Sequence, residues 1–158
     1  MTMNMKRRGF LKGTLAASVV GVAAGAGLLT PRRVWAAWNK TAFSAKKFDA
    51  ALKAAEGTDH TIPSKAIVLR APDIAENGAV VPVTVSSNMK GVQSINVFVD
   101  KNPFPLNAAY NLPAGTEPFV SYRLKMAKTS EVVAVVKANG KLYSTKRLVK
   151  VTIGGCGG

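Results

Sequence analysis

The chain has 158 residues, with 22 Lys and Arg against eight Asp and Glu, one Cys and one His, for a formal net charge of +14. A single cysteine excludes an internal disulfide, and one Cys with one His excludes a zinc site built from several such ligands. The basic balance points to acidic partners or small anions, and to nucleic acid unless the chain leaves the cytoplasm.

The chain opens on what reads as an export signal. Arg7 and Arg8 form a twin-arginine pair followed by Gly9, Phe10, Leu11 and Lys12, with Lys6 where Ser or Thr is commoner. An uncharged stretch of 17 residues, Gly13 to Leu29, comes next. It is too short and too weakly apolar for a stable membrane anchor. Val34-Trp35-Ala36 fits small-residue cleavage, so residues 1–36 are set aside as a signal peptide. The segment takes six basic residues and no acids with it. The remaining 122 residues carry a net charge of +8 and have the size of one domain with one modest core. Twin-arginine export leads to the periplasm, where nucleic acid is not an expected partner.

Thr41 to Glu56 reads as one helix. Phe48, Ala51, Leu52 and Ala55 share an apolar face, Thr41 or Ser44 is placed to cap the start, and Gly57 to stop it. This helical segment occupies residues 37–62.

Strand-like runs fill residues 63–153. Ala66–Arg70 is short and apolar, and Val80–Ser86 alternates after the turn Glu76-Asn77-Gly78. Val92–Asp100 sets Ile95, Val97 and Val99 on one face, and Phe119–Met126 does the same with Val120, Tyr122, Leu124 and Met126. Ser130–Lys137 is Val-rich, and Lys141–Ile153 alternates toward its end. Asn139-Gly140 signals a tight hairpin between the last two runs. Asp100-Lys101-Asn102-Pro103 and Leu112-Pro113-Ala114-Gly115 read as turns. Six or seven such strands predict a mainly β, two-sheet sandwich preceded by a short helical segment.

Residues 154–158 are Gly154-Gly155-Cys156-Gly157-Gly158, and Cys156 is the one cysteine of the chain. Glycine suits a flexible arm and close backbone approach. Three extended residues beyond Ile153 carry the thiol about 10 Å from the last strand, far enough to enter a neighbour's cleft. An unpaired cysteine in an exported protein suggests intermolecular pairing or a reactive thiol. His60, 96 residues upstream, lacks visible partners and reads as a structural or solvated residue. A Cys-His dyad would need a preorganised nucleophile, which a mobile tail does not supply. Cys156 is third from the end, which does not fit a prenylation box. No paired carboxylates or phosphate-cradling loop appear, and no metal-binding residues are assigned.

The terminal run Val149-Lys150-Val151-Thr152-Ile153-Gly154-Gly155-Cys156-Gly157-Gly158 carries a family resemblance. So do Met126-Ala127-Lys128-Thr129-Ser130, Gly140-Lys141-Leu142-Tyr143-Ser144 and Asp73-Ile74-Ala75-Glu76-Asn77-Gly78. With the twin-arginine signal, these make nearly the whole chain resemble the SoxY family, the sulfur-carrier subunits of the bacterial thiosulfate-oxidising Sox complex. The resemblance implies an immunoglobulin-like sandwich that pairs with SoxZ as a heterodimer. It implies that Cys156 carries the substrate covalently on an arm made by Gly154, Gly155, Gly157 and Gly158. A haem c enzyme, SoxXA, would join thiosulfate to the thiol as a cysteine S-thiosulfonate. A manganese hydrolase, SoxB, would release sulfate, and a sulfane dehydrogenase, where present, would oxidise the remaining sulfur. Haem and manganese then belong to the partners, and the carrier is neither an enzyme nor a cofactor protein.

Two other readings stand beside this one. The terminal Gly-Gly would suit a carrier activated as a thiocarboxylate at Gly158, which the export signal opposes. A structural periplasmic sandwich dimerised through a Cys156–Cys156 disulfide is the other.

Overall fold

The computed structural model describes residues 39–154. Arg7, Arg8, Phe10 and Leu11 of the export motif, and Gly155, Cys156, Gly157 and Gly158, lie outside the described residues.

Helices α1 (Lys40–Ser44) and α2 (Phe48–Glu56) lead into nine strands. These are β1 (Ile62–Pro63), β2 (Ile67–Arg70), β3 (Ile74–Asn77), β4 (Val81–Ser87), β5 (Val92–Val99), β6 (Leu106–Asn111), β7 (Phe119–Leu124), β8 (Ser130–Ala138) and β9 (Lys141–Ile153). The larger sheet runs β1-β9-β8-β5-β6, with β3 added on β9, and the smaller runs β2-β4-β7. The mainly β, two-sheet architecture with a helical preface is as the sequence predicts.

Alternation makes the core. Val81, Val83 and Val85 of β4 point inward against Ile95, Val97 and Val99 of β5 and Val132, Ala134 and Val136 of β8. Each of these Val and Ile side chains contributes about 1.5–3 kcal/mol on full burial. β5 is buried on its other face too, because α1 and α2 cover it there. Phe98, Leu106, Val135 and Leu142 form a second apolar layer with Ala42, Ala51 and Leu52. The ring of Phe48 meets that of Phe98 edge-on, centroids 5.0 Å apart.

The hairpin turn is as the sequence predicts: Asn139 and Gly140 have φ of 51° and 74°, the left-handed pair of a type I′ turn. Gly57 ends α2 in the left-handed region, its N–H bonded to the Lys53 carbonyl.

The helical preface departs from the single Thr41–Glu56 helix. It breaks at Ala45, whose backbone is extended, and Asn39 caps α1 in place of Thr41 or Ser44. At about 100° per residue, one straight helix would put Ala42 opposite Ala51. Both are fully buried against the same sheet, and the break makes that possible. Three strands were not expected. β6 is an edge strand whose Asn107, Ala108 and Ala109 lack strand propensity. β1 has two residues, and β3 takes in Glu76 and Asn77, which read as turn residues.

Candidate functional site

Cys156 follows β9, so the structure of its site is the structure of β9's end. β9 pairs antiparallel with β8 from Lys141 to Val149, where Val149 faces Ser130. There β8 ends and β9 continues alone on that side. Its other edge is taken by β3, which runs parallel with Ile74 beside Lys150, Ala75 beside Val151 and Asn77 beside Ile153. The Lys150 N–H donates to the Asp73 carbonyl at 2.9 Å, and the Gly78 N–H to the Ile153 carbonyl at 2.8 Å. Thr152 Oγ1 donates to the Glu76 carbonyl at 2.9 Å.

On the side that β8 has vacated, a side chain takes the place of a strand. Thr129 Oγ1 accepts the Val151 N–H at 2.9 Å. The turn carrying Thr129 is itself braced. Asn102, only 7 % exposed, donates to the Lys125 carbonyl at 2.8 Å and accepts the Ala127 N–H at 2.9 Å. The Met126 N–H donates to the Gly78 carbonyl at 2.7 Å, tying this turn to the end of β3. The Lys101 N–H donates to the fully buried Ser130 Oγ at 2.9 Å.

Gly154 lies against this turn. A Cβ there would collide with the carbonyl oxygen of Ala127. Gly154 is therefore a position of close backbone approach, whatever freedom the later glycines have. Lys128 of this turn and Lys150 of β9 are exposed, and neither forms an ion pair among the described residues. Arg147 pairs with Asp73 at 2.8 Å on the open surface, a contact worth at most about 1 kcal/mol. Ile153, the last residue of β9, is an apolar side chain 69 % exposed.

His60 is solvated: its imidazole is 95 % exposed, and its one charged neighbour is Asp59 at 3.5 Å. No cluster of three His, Cys, Asp or Glu side chains that could hold a metal occurs among the described residues. No helix among them is long and apolar enough to cross a membrane. The sequence marks Cys156 and its glycines as an arm, reads Asn102 only as a turn residue and singles out no role for Thr129. Thr129 stood within one of the segments carrying the family resemblance. Its hydroxyl beside a strand end was the only signal available.

Residues 52–156 match the family described as sulfur oxidation protein SoxY, a span whose final position is Cys156. The chain belongs to the SoxY family. Among solved structures, it resembles the sulfur carrier protein SoxY from Chlorobium limicola f thiosulfatophilum at 47 % identity and a TM-score of 0.62. That match covers 70 % of this chain and all of the other. A superoxide reductase (neelaredoxin) from Ignicoccus hospitalis aligns at 21 % identity over 58 % of this chain and 80 % of its own, with a TM-score of 0.49. No match emerges among curated protein sequences. The SoxY match runs through the sandwich, β9 and the Gly-Gly-Cys sequence that follows, so the anchored strand end belongs to the family region.

Proposed function

We propose that this SoxY-family chain is a non-catalytic, periplasmic sulfur carrier of thiosulfate oxidation, with Cys156 as the point of covalent attachment. The observation that carries the reading is the family match, which extends to Cys156 itself. The 47 % identity to a sulfur carrier protein SoxY supports it. The twin-arginine pair Arg7-Arg8 with Phe10 and Leu11 supports the periplasmic part.

In this reading the Cys156 thiol loses its proton, and a sulfur–sulfur bond forms between the thiolate and the outer sulfur of thiosulfate. Two electrons leave to a haem-bearing partner of the SoxXA kind, and the product is a cysteine S-thiosulfonate. Water then attacks the sulfonate sulfur in a manganese hydrolase of the SoxB kind. Sulfate and two protons leave, and a persulfide remains on Cys156. A sulfane dehydrogenase, where one is present, oxidises that sulfur further. A SoxZ-type subunit completes the carrier as a heterodimer. The chain itself contributes a thiol on a thin glycine-flanked tether and a rigid body to hold it. Covalent tethering keeps a reactive sulfane sulfur from diffusing, and it spares each enzyme the binding of a small, strongly hydrated anion.

Intact-mass spectrometry tests the reading. After incubation with thiosulfate, the haem partner and the SoxZ-type subunit, one thiosulfonate should add to the chain and map to Cys156. Cys156→Ala should remain unmodified. A modification that persists in Cys156→Ala, or appears at Gly158, would remove Cys156 as the carrier residue.

A further inference from the structure

β6 and β7 are the outermost strands of their sheets, and they stand on the same side of the sandwich, where Tyr110 of one meets Tyr122 of the other. The Leu112 N–H donates to the Gln93 carbonyl at 2.9 Å. By the alternation of an antiparallel pair, Tyr110 also bonds toward β5, and Ala109 and Asn111 turn their N–H and C=O groups to the open edge. Both residues are exposed, and no strand among the described residues pairs with that edge. Free edges are ordinarily blunted by charge, proline or a bulge. Leu106–Asn111 contains no charged residue and no proline, and its one irregularity lies at its start, opposite Phe98. At that start the edge opens into a groove of about 320 Å³ lined by Phe43, Phe104, Leu106 and Leu124, and by Arg123 and Lys125. Phe104 is 40 % exposed. No acid lines the groove, and neither Arg123 nor Lys125 forms an ion pair among the described residues.

We propose that this side of the sandwich takes an extended acidic segment of a partner protein as an added strand. The segment's backbone pairs with Ala109 and Asn111, and its carboxylates reach Arg123 and Lys125. Leu106 stands three residues from Ala109, about 10 Å along the strand, so a segment of five or six residues spans both places. Strand addition draws affinity from main-chain hydrogen bonds and selects through side chains. Here the selection is for carboxylates at the groove and an apolar side chain against Phe104, and a lysine-bearing strand is refused by like charge. The proposal uses no residue of the C-terminal arm and stands whether or not Cys156 carries sulfur.

The test titrates the full-length chain with a blocked hexapeptide of alternating Glu and Val, reading backbone amides and their hydrogen exchange by NMR. The same peptide with Lys for Glu, and sodium sulfate at equal ionic strength, serve as comparisons. The Glu peptide is expected to shift the Ala109 and Asn111 amides and slow their exchange about tenfold or more. The Lys peptide and sulfate should do neither. Arg123→Glu with Lys125→Glu should weaken the Glu peptide about tenfold or more, since both side chains are exposed and their reversal replaces attraction by repulsion. Ala109→Pro removes one outward N–H at a position where an edge strand tolerates proline, and should abolish the slowing at Asn111. If Ala109→Pro fails to fold, the charge reversal decides. Unchanged exchange at Ala109 and Asn111 with the Glu peptide, or equal binding of the Lys peptide, would overturn the proposal. So would sulfate reproducing the shifts, which marks an anion site only. Slowed exchange that grows with protein concentration in the absence of peptide makes a second copy of the chain the occupant, and overturns it as well.

Discussion

Glu56 and Lys137 stand 3.1 Å apart across the seam between α2 and the large sheet, and the other oxygen of the same carboxylate accepts from Ser94 Oγ and Asn96 Nδ2, each at 2.6 Å. A carboxylate on the last residue of a helix is misplaced with respect to the helix dipole, so these three donors explain its presence. The Glu56 side chain is 7 % exposed, and among the described residues it is the partner of the buried Ser94 hydroxyl and Asn96 amide. Glu56→Ala should lower stability by about 3 kcal/mol, in the range for breaking a buried charged network. Glu56→Gln, which keeps one acceptor oxygen, should cost about 1 kcal/mol. Urea unfolding of the two variants checks both values.

Tyr122 carries a buried hydroxyl with no hydrogen-bond partner among the described residues, its ring edge-on to Tyr110 with centroids 5.8 Å apart. Burial, and secondarily Tyr110, pushes its pKa well above the ordinary tyrosine value. The folded chain therefore holds the phenolic proton after the unfolded chain has begun to lose it. Stability from this group is complete below about pH 10 and declines as pH rises beyond it. Tyr122→Phe should remove that alkaline decline. At neutral pH it should leave stability unchanged or raise it by about 1 kcal/mol, because an unpaired buried hydroxyl disappears. Melting temperatures at neutral and alkaline pH show the crossover.

Gly140 has open space where a Cβ would sit, so its φ of 74° is its sole demand for glycine. Gly140→Ala should cost about 1 kcal/mol through torsion alone, and Gly140→Asn less, since Asn tolerates the left-handed region. Thermal unfolding of the two variants separates them.

Gly155→Val and Gly157→Val flank Cys156 with branched side chains in place of hydrogen. Both variants should melt like the wild type, since β9 ends at Ile153. Enzymatic loading of Cys156 should slow about tenfold or more through hindered approach. Equal loading rates would show that the arm does not need to be thin.

The strands that sequence reasoning found are those with β-branched residues on a constant face, such as Val81, Val83 and Val85, and the Asn139-Gly140 turn carried its own chemistry. β6 escaped because Asn107, Ala108 and Ala109 give no strand preference, and its place is set by pairing with β5. The helix break escaped because periodicity over Phe48–Ala55 says nothing of Ala42, which must reach the same sheet from another turn of the chain. At the candidate site Cys156 was legible as a lone thiol among glycines. Asn102 and Thr129 were not, because their role exists only once β8 begins at Ser130 while its partner β9 continues past Val149.

That mismatch in strand length has a mechanical consequence. β9 is held by two ladders in series: nine residues of hairpin up to Val149, then Lys150–Ile153, which bond to β3, its flanking Asp73 and Gly78, and Thr129. A pull on the tail loads the short ladder first, and that ladder can open while the hairpin stays closed, as small peripheral units do in native proteins. Opening it would free Lys150–Ile153 from β3 at the cost of the contact that Val151 makes with the core. The end of β9 is thus the part of the sandwich's longest strand that local opening would release first.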